Sequence, residues 1–106
     1  MKNISKEFIG ASASSIILSV LKQGDNYGYE IIRTVREHSN GAIKWKEPSI
    51  YPVLKKMEAG GMIKSYWKMA EGERPRKYYS IQDAGIRQLE ENKHEWNIEH
   101  SVSAKL

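Results

Sequence analysis

The sequence predicts a mainly α-helical domain with a small β-hairpin, which is an α+β fold. Apolar residues recur with helical period in several segments, whereas residues 62–81 alternate as paired strands do. A chain of 106 residues is long enough to bury one modest core, and chains usually divide into separate domains only at greater length. We therefore expect one compact domain overall, with a head over residues 1–82 and a last helix over residues 83–106.

The composition excludes several classes of protein. The sequence contains no cysteine, so it has no disulfide framework, no thiolate nucleophile and no cysteine-based zinc site. Its longest apolar run is far shorter than a membrane span, and its first residues lack the continuous apolar segment of a secretory signal. We expect a cytoplasmic protein that does not associate with a membrane.

Residues 1–41 have the apolar spacing of two helices. The first is predicted from Ser5 to Lys22 and is ended by the polar run that follows it. The second is predicted to begin with Asp25 or Asn26 as its N-cap and to end at Ser39-Asn40-Gly41. The apolar positions that predict these helices are Ala13, Ile16, Ile17, Val20 and Leu21 in the first, and Gly28, Ile31, Ile32 and Val35 in the second.

A third helix is predicted to begin near Glu47-Pro48-Ser49, because proline is tolerated in the first turn of a helix. Pro52 fits this helix only if it also lies in the first turn or so. The helix ends at Gly60-Gly61. Just before it, the alternation of apolar and cationic residues over Ile43–Lys46 predicts a short half-buried strand.

Residues 62–81 are predicted to form a hairpin whose charged turn runs from Glu71 to Pro75. Its first strand alternates between two faces, with Ile63, Trp67 and Met69 on one and Lys64, Tyr66 and Lys68 on the other. A long last helix begins at Gln82 or Asp83. The full order, three helices followed by a charged hairpin, is that of a winged helix-turn-helix, in which the third helix enters a major groove of DNA.

The distribution of charge fits a nucleic-acid footprint on one face. Residues 41–82 carry nine Lys or Arg against four acids, whereas residues 83–106 carry three against five. On the third helix, Ser49, Pro52, Lys55 and Lys56 project away from the apolar face, and Tyr51 lies at its border. Phosphate contacts are expected from the two lysines and from the cations of the hairpin, which are Arg74, Arg76 and Lys77. The alternatives are lysines that only promote solubility and a charged turn that protects a sheet edge.

The last helix places Ile86, Leu89, Trp96 and His100 at heptad-like spacing, which predicts a homodimer seam. Trp96 has either this packing role alone or a further role in binding a ligand. Glu90 and His94 share one helix face, but a metal site needs further convergent ligands. The sequence also contains no phosphate-binding glycine loop and no nucleophile set in a recognisable context. We therefore expect no metal, no cofactor and no enzyme activity.

Four segments of the sequence resemble one family. They are Val20–Ile32, Ser49–Leu54, Gly61–Ile63 and Arg76–Tyr79, and together they resemble the small subfamily of PadR-family transcriptional regulators. The run Lys22–Tyr27 and the triplet Ser65-Tyr66-Trp67 are similar to the multidrug-binding LmrR-type repressors within it.

The resemblance implies a homodimeric repressor that binds double-stranded operator DNA. It implies that residues 1–82 are the DNA-binding winged helix and that residues 83–106 form the dimerisation helix. Tyr27 and Tyr29 would lie near the DNA backbone, and Trp96, with Phe8 as a neighbour, would line a cavity for a planar hydrophobic effector that releases the DNA. One departure is that Ile81-Gln82 replaces the usual Leu-Thr pair, so Asp83 is expected to cap the last helix. The alternative function is a winged-helix protein–protein interaction module with an acidic partner.

Overall fold

A computed structural model of the chain describes residues 12–69 and 71–92. The three strands form one antiparallel sheet in the order β1-β3-β2. The predicted α+β class and its winged helix-turn-helix order are confirmed. In chain order the elements are α1 (Ala13–Lys22), β1 (Asn26–Tyr27), α2 (Gly28–His38), α3 (Glu47–Ala59), β2 (Ile63–Lys68), β3 (Arg76–Ile81) and helix α4 over residues 83–92.

The core lies between the helices and the inner face of the sheet. Helix α1 begins after Ser12, whose hydroxyl accepts a hydrogen bond of 3.1 Å from the Ser15 amide, as an N-cap does. The earlier part of the helix predicted from Ser5 lies outside the described residues. The core is formed by Ile16, Ile17, Leu18, Leu21, Ile31, Ile32, Val35, Ile43, Ile50, Leu54, Met57, Ile63, Tyr79 and Leu89.

The predicted cap of α2 is wrong, whereas its predicted end is confirmed. Asn26 belongs to β1, and its side-chain oxygen accepts a hydrogen bond from the Tyr27 amide. Tyr27 occupies the N-cap position, and no side chain caps the helix there. The strand pairing of Asn26 and Tyr27 with β3 takes precedence over capping. At the other end Asn40 and Gly41 take positive φ values of 54° and 82°, the left-handed conformation that ends helices.

The predicted strand at Ile43–Lys46 is also wrong. These residues pair with no described strand, and the Ile43 amide instead donates to the hydroxyl of the buried Ser39 at 3.0 Å. Ile43 and Trp45 pack toward the core and anchor the loop before α3, which accounts for the alternation without a strand. Helix α3 begins at Glu47 as predicted, but Pro52 lies in its second turn, deeper than expected, on the exposed side of the helix.

The hairpin of β2 and β3 is confirmed, with Tyr66 opposite Tyr78 and Lys68 opposite Arg76. Strand β1 was not predicted; it adds two residues to the free edge of β3. The side of β2 that buries Ile63 leaves the core toward the tip, where Trp67 is 67% exposed. We call residues 63–81 the wing.

Helix α4 follows Gln82, whose carbonyl accepts the Ile86 amide at 2.9 Å, so Asp83 is the first residue of the helix and not its cap. Leu89 is only 2% exposed and belongs to the core of its own chain. The Asn92 side-chain amide donates to the Ser15 hydroxyl, which ties α4 to α1. Among the described residues, no helix is both long and apolar enough to cross a bilayer.

Candidate nucleic-acid interface

The outward face of α3 carries the predicted residues. Ile50, Leu54 and Met57 are buried, whereas Ser49, Pro52, Lys55 and Lys56 are exposed. Consecutive helical residues project about 100° apart, so Lys55 and Lys56 lie on the two flanks of this face. Lys56 lies beside an open groove of about 420 Å³ next to the start of α1, and Lys55 lies one turn from Tyr51.

Tyr51 joins α3 to the start of α2. Its hydroxyl donates to a carboxylate oxygen of Glu47 at 3.2 Å, and a Cβ added at Gly28 would lie 2.9 Å from that hydroxyl oxygen. Gly28 therefore permits the tyrosine ring to pack directly on the backbone of α2. Partial burial, and then the hydrogen bond to Glu47, raise the pKa of Tyr51.

Three tyrosines line the outer face of the sheet, and we call Tyr27, Tyr78 and Tyr66 the aromatic ladder. The rings of Tyr27 and Tyr78 are 5.3 Å apart and tilted, and those of Tyr78 and Tyr66 are 5.9 Å apart and stacked. Two cations lie over these rings. The Arg76 guanidinium is 4.6 Å from the centre of Tyr27, and the Lys68 ammonium is 5.1 Å from the centre of Tyr78.

The ladder is fastened to the loop after α1. The Tyr66 hydroxyl donates to a carboxylate oxygen of Asp25 at 2.6 Å, across 41 positions of sequence. This hydrogen bond is the main reason that the pKa of Tyr66 is raised above its usual value. On the opposite face of β2, the hydroxyl and amide of Ser65 donate to one carboxylate oxygen of Glu58 on α3, at 2.7 and 3.2 Å. Strand β2 is thus held from both sides.

The structure separates the cations predicted at the hairpin. Arg76 and Lys77 are adjacent in a strand and point to opposite faces, with Arg76 on the ladder side and Lys77 opposite Trp67. Arg74 is exposed in the turn before β3. Among the described side chains the only ion pairs are those of Arg33 with Glu30 and Glu37, so the cations of α3 and the wing form none there.

Two predicted sites lie wholly or partly outside the described residues. Phe8 and Trp96, the predicted ligand contacts, are outside them, as is His100 of the predicted dimer seam. Ile86 is half-buried on α4, and Tyr27 and Tyr29 flank Gly28, with Tyr29 50% exposed. Within residues 12–69 and 71–92 no three metal-binding side chains come together.

Sequence reasoning missed Asp25, Glu58 and Tyr78 as parts of this interface. Tyr78 was accessible to it, because a hairpin with its turn at residues 71–75 pairs Tyr66 with Tyr78 and Lys68 with Arg76. The two carboxylates carried no comparable signal, since each meets the wing only through the tertiary fold.

The sequence matches the family model of the PadR-like transcriptional regulators over residues 17–91. This chain belongs to the PadR-like family. The negative transcriptional regulator PadR of Bacillus subtilis is 31% identical to it over 84 residues, which are 79% of this chain and 44% of that protein. The family comprises transcriptional regulators and not enzymes, in agreement with the sequence-based expectation.

Solved PadR structures share the fold. A PadR family transcription regulator from Clostridium difficile R20291 superposes with a TM-score of 0.76 and 38% identity, covering 87% of this chain and 94% of that one. PadR of B. subtilis, solved in complex with operator DNA, superposes with a TM-score of 0.66 and 29% identity, covering 80% and 46%. This chain therefore spans less than half the length of that PadR.

Proposed function

We propose that this PadR-family chain represses transcription by binding double-stranded operator DNA through α3 and the wing. The observation that carries the proposal is the exposed set of cations on α3 and the wing, none of which pairs with a described carboxylate. Such cations are free to neutralise phosphates. The similar PadR of B. subtilis is solved with operator DNA, which supports the same partner class here.

In this proposal α3 lies in the major groove and its neighbours contact the backbone. Ser49 and Pro52 are small enough for close approach of the helix to the bases, and Lys55 and Lys56 neutralise phosphates on either side. Tyr51 contacts the DNA through its hydroxyl, which lies at the junction with α2. The other contacts with the DNA backbone come from Tyr27, Tyr29, Arg74, Arg76 and Lys77.

The test is a salt titration of DNA affinity. A duplex selected by the wild-type protein from a randomised library is labelled, and its dissociation constant is measured by fluorescence anisotropy at several salt concentrations. Each phosphate contact contributes about 0.9 to the log–log slope. The double variant Lys55→Ala, Lys56→Ala is therefore expected to lower the slope by about 1.8 and to weaken binding.

The matched control is Arg36→Ala, which removes one exposed cation near the end of α2, outside the proposed DNA interface and the proposed dimer helix. Its slope is expected to equal that of the wild type. An unchanged slope in the lysine double variant would remove these two residues from the interface. If the wild-type protein selects no sequence and binds an acidic protein instead, the repressor proposal fails in favour of a protein–protein module.

We propose further that the chain acts as a homodimer joined by its last helix, residues 83–106. Because Leu89 packs inside its own chain, Ile86 is the described residue left for this seam, together with Trp96 and His100. Two copies of α3 would then read half-sites of a near-palindromic operator about one helical turn apart. Sedimentation equilibrium should give twice the 12.2 kDa chain mass, and a monomer at all concentrations would contradict this.

The last part of the proposal is release by a planar hydrophobic effector bound beside Trp96 and Phe8, between the subunits. Such a compound releases DNA only if it binds the DNA-free arrangement more tightly. The measurement is tryptophan fluorescence in a Trp45→Phe, Trp67→Phe background, which leaves Trp96 as the sole reporter. Quenching that accompanies loss of DNA binding is expected. Quenching without release, or no quenching, removes the effector from the mechanism.

A further inference from the structure

Strand β2 carries the outer edge of the wing, and two carboxylates from the body of the domain hold it. The sheet order places β2 beside β3 alone, so its other edge has no strand neighbour among the described residues. At its middle, Ser65 donates twice to Glu58 on one face, and Tyr66 donates to Asp25 on the other. Adjacent residues of the strand therefore attach it to α3 and to the loop after α1.

These two attachments differ in what they add. The contact with Glu58 lies beneath the sheet, where Ile63 and Tyr79 already pack against the core. The contact with Asp25 lies on the outer face, where Tyr66 is 39% exposed and no core packing restrains the ladder. Tyr66 stacks on Tyr78, and Tyr78 contacts Tyr27 beneath Arg76. Displacing Tyr66 would therefore displace Tyr78, the ring that supports Lys68, whereas Tyr27 is held separately by its pairing with β3 and by its hydroxyl, which donates to Glu30 at 3.5 Å.

We propose that Asp25 and Tyr66 are positioning residues that hold the wing at the angle to α3 required for DNA binding. The inference rests on the proposed function and adds to it an acidic residue that favours binding of a polyanion. An acidic side chain beside a DNA-binding surface would on charge alone repel phosphates. Here its hydrogen bond to Tyr66 holds the ladder in place beneath Lys68, and this gain exceeds the repulsion.

The opposite signs of these two effects provide the test. Asp25→Asn and Asp25→Ala remove the same charge, but only asparagine keeps an oxygen that accepts from the Tyr66 hydroxyl. The positioning account predicts that Asp25→Ala weakens binding of the selected duplex by about 3- to 10-fold and that Asp25→Asn is weakened less. A purely electrostatic role predicts that both variants bind equally and more tightly than the wild type.

Tyr66→Phe tests the other partner without any change of charge. It keeps the ring in the ladder and removes only the donor, so a similar loss of about 3- to 10-fold is expected. Because Lys68 lies over Tyr78, the ring on which Tyr66 stacks, the log–log salt slope is also expected to fall by about 0.9. In a Lys68→Ala background the effect of Tyr66→Phe should then shrink, because the contact that it positions is already gone.

The control is Glu37→Gln, which neutralises an exposed carboxylate near the end of α2, outside α3, the wing and the proposed dimer helix, and is expected to leave affinity unchanged. Thermal denaturation of every variant separates loss of folding from loss of positioning. If Tyr66→Phe is unstable, the comparison of Asp25→Asn with Asp25→Ala decides, because Asp25 is exposed. Equal binding by both Asp25 variants, or full binding by a folded Tyr66→Phe, overturns the inference while the repressor proposal stands. A wild-type protein that prefers no DNA sequence overturns both.

Discussion

Replacing Gly85 with alanine should loosen the joint between α4 and the rest of the chain. An added Cβ would overlap the Met62 carbonyl oxygen and lie 2.9 Å from the Ile81 Cγ1 and 3.0 Å from the Leu18 Cδ2. The carbonyl is the least able of these groups to move, because it also accepts the amide of Gln82 at 2.9 Å just before α4. The close approach of helix and strand therefore requires a residue without a side chain.

The expected magnitude follows from two opposing effects. Overpacking in a core costs about 1–3 kcal/mol, whereas alanine stabilises a helix by about 0.5–1 kcal/mol relative to glycine. We expect Gly85→Ala to lower the free energy of unfolding by about 1–2 kcal/mol. For a domain of this size each kcal/mol corresponds to roughly 4–8 °C in Tm.

The assay is urea denaturation followed by circular dichroism, at one fixed protein concentration because a dimer would make stability concentration-dependent. Gly60→Ala is the matched control. Its added Cβ would lie 3.6 Å from the Lys56 carbonyl oxygen and 3.7 Å from that of Met57, which are ordinary contacts, and its φ of -85° suits any residue. Equal stability of the two variants would refute the packing argument for Gly85.

Three further predictions concern single contacts. Ser39→Ala should cost about 1–3 kcal/mol in urea denaturation, because the buried amide of Ile43 loses its acceptor; an unchanged midpoint would contradict this. Gly28→Ala should push the Tyr51 ring away and weaken DNA binding in anisotropy titrations with little change in the helical circular-dichroism signal; normal affinity would show that the ring position is unimportant. Folding raises the pKa of Tyr66 above 10.0. The stability that this hydroxyl adds should therefore be fully present below pH 10 and lost as the pH rises through the folded-state pKa. Denaturation midpoints that fall with rising pH no faster than those of Tyr66→Phe would oppose this.

Periodicity predicted the elements whose apolar stripe alone decides their structure. Helix α3 was found because Ile50, Leu54 and Met57 keep helical spacing and Gly60-Gly61 ends the run, and the hairpin was found because residues 62–81 alternate as strands do. The prediction failed where the presence or absence of a neighbouring strand decides the structure. Two residues form β1 only because β3 offers a free edge, and the alternating residues from Ile43 have no strand beside them and remain a loop.

The candidate site shows the same division. Exposure of Lys55 and Lys56 followed from helical geometry, and the separation of Arg76 from Lys77 follows from the pleat of a strand. The contact between Asp25 and Tyr66 joins residues 41 positions apart through a loop and an edge strand, and no local pattern encodes that distance.

Under the proposed function the cations divide into two kinds with different physical roles. Lys55 and Lys56 are exposed on α3, and no described contact restrains either ammonium group, so each loses rotamer freedom when it meets a phosphate. Arg76 and Lys68 already lie over the rings of the ladder, so part of that entropy is lost on folding and not on binding. The first pair supplies affinity at whatever distance the phosphates present. Arg76 and Lys68 fix where the DNA backbone must lie, and they can do so only while the aromatic ladder itself is held in place.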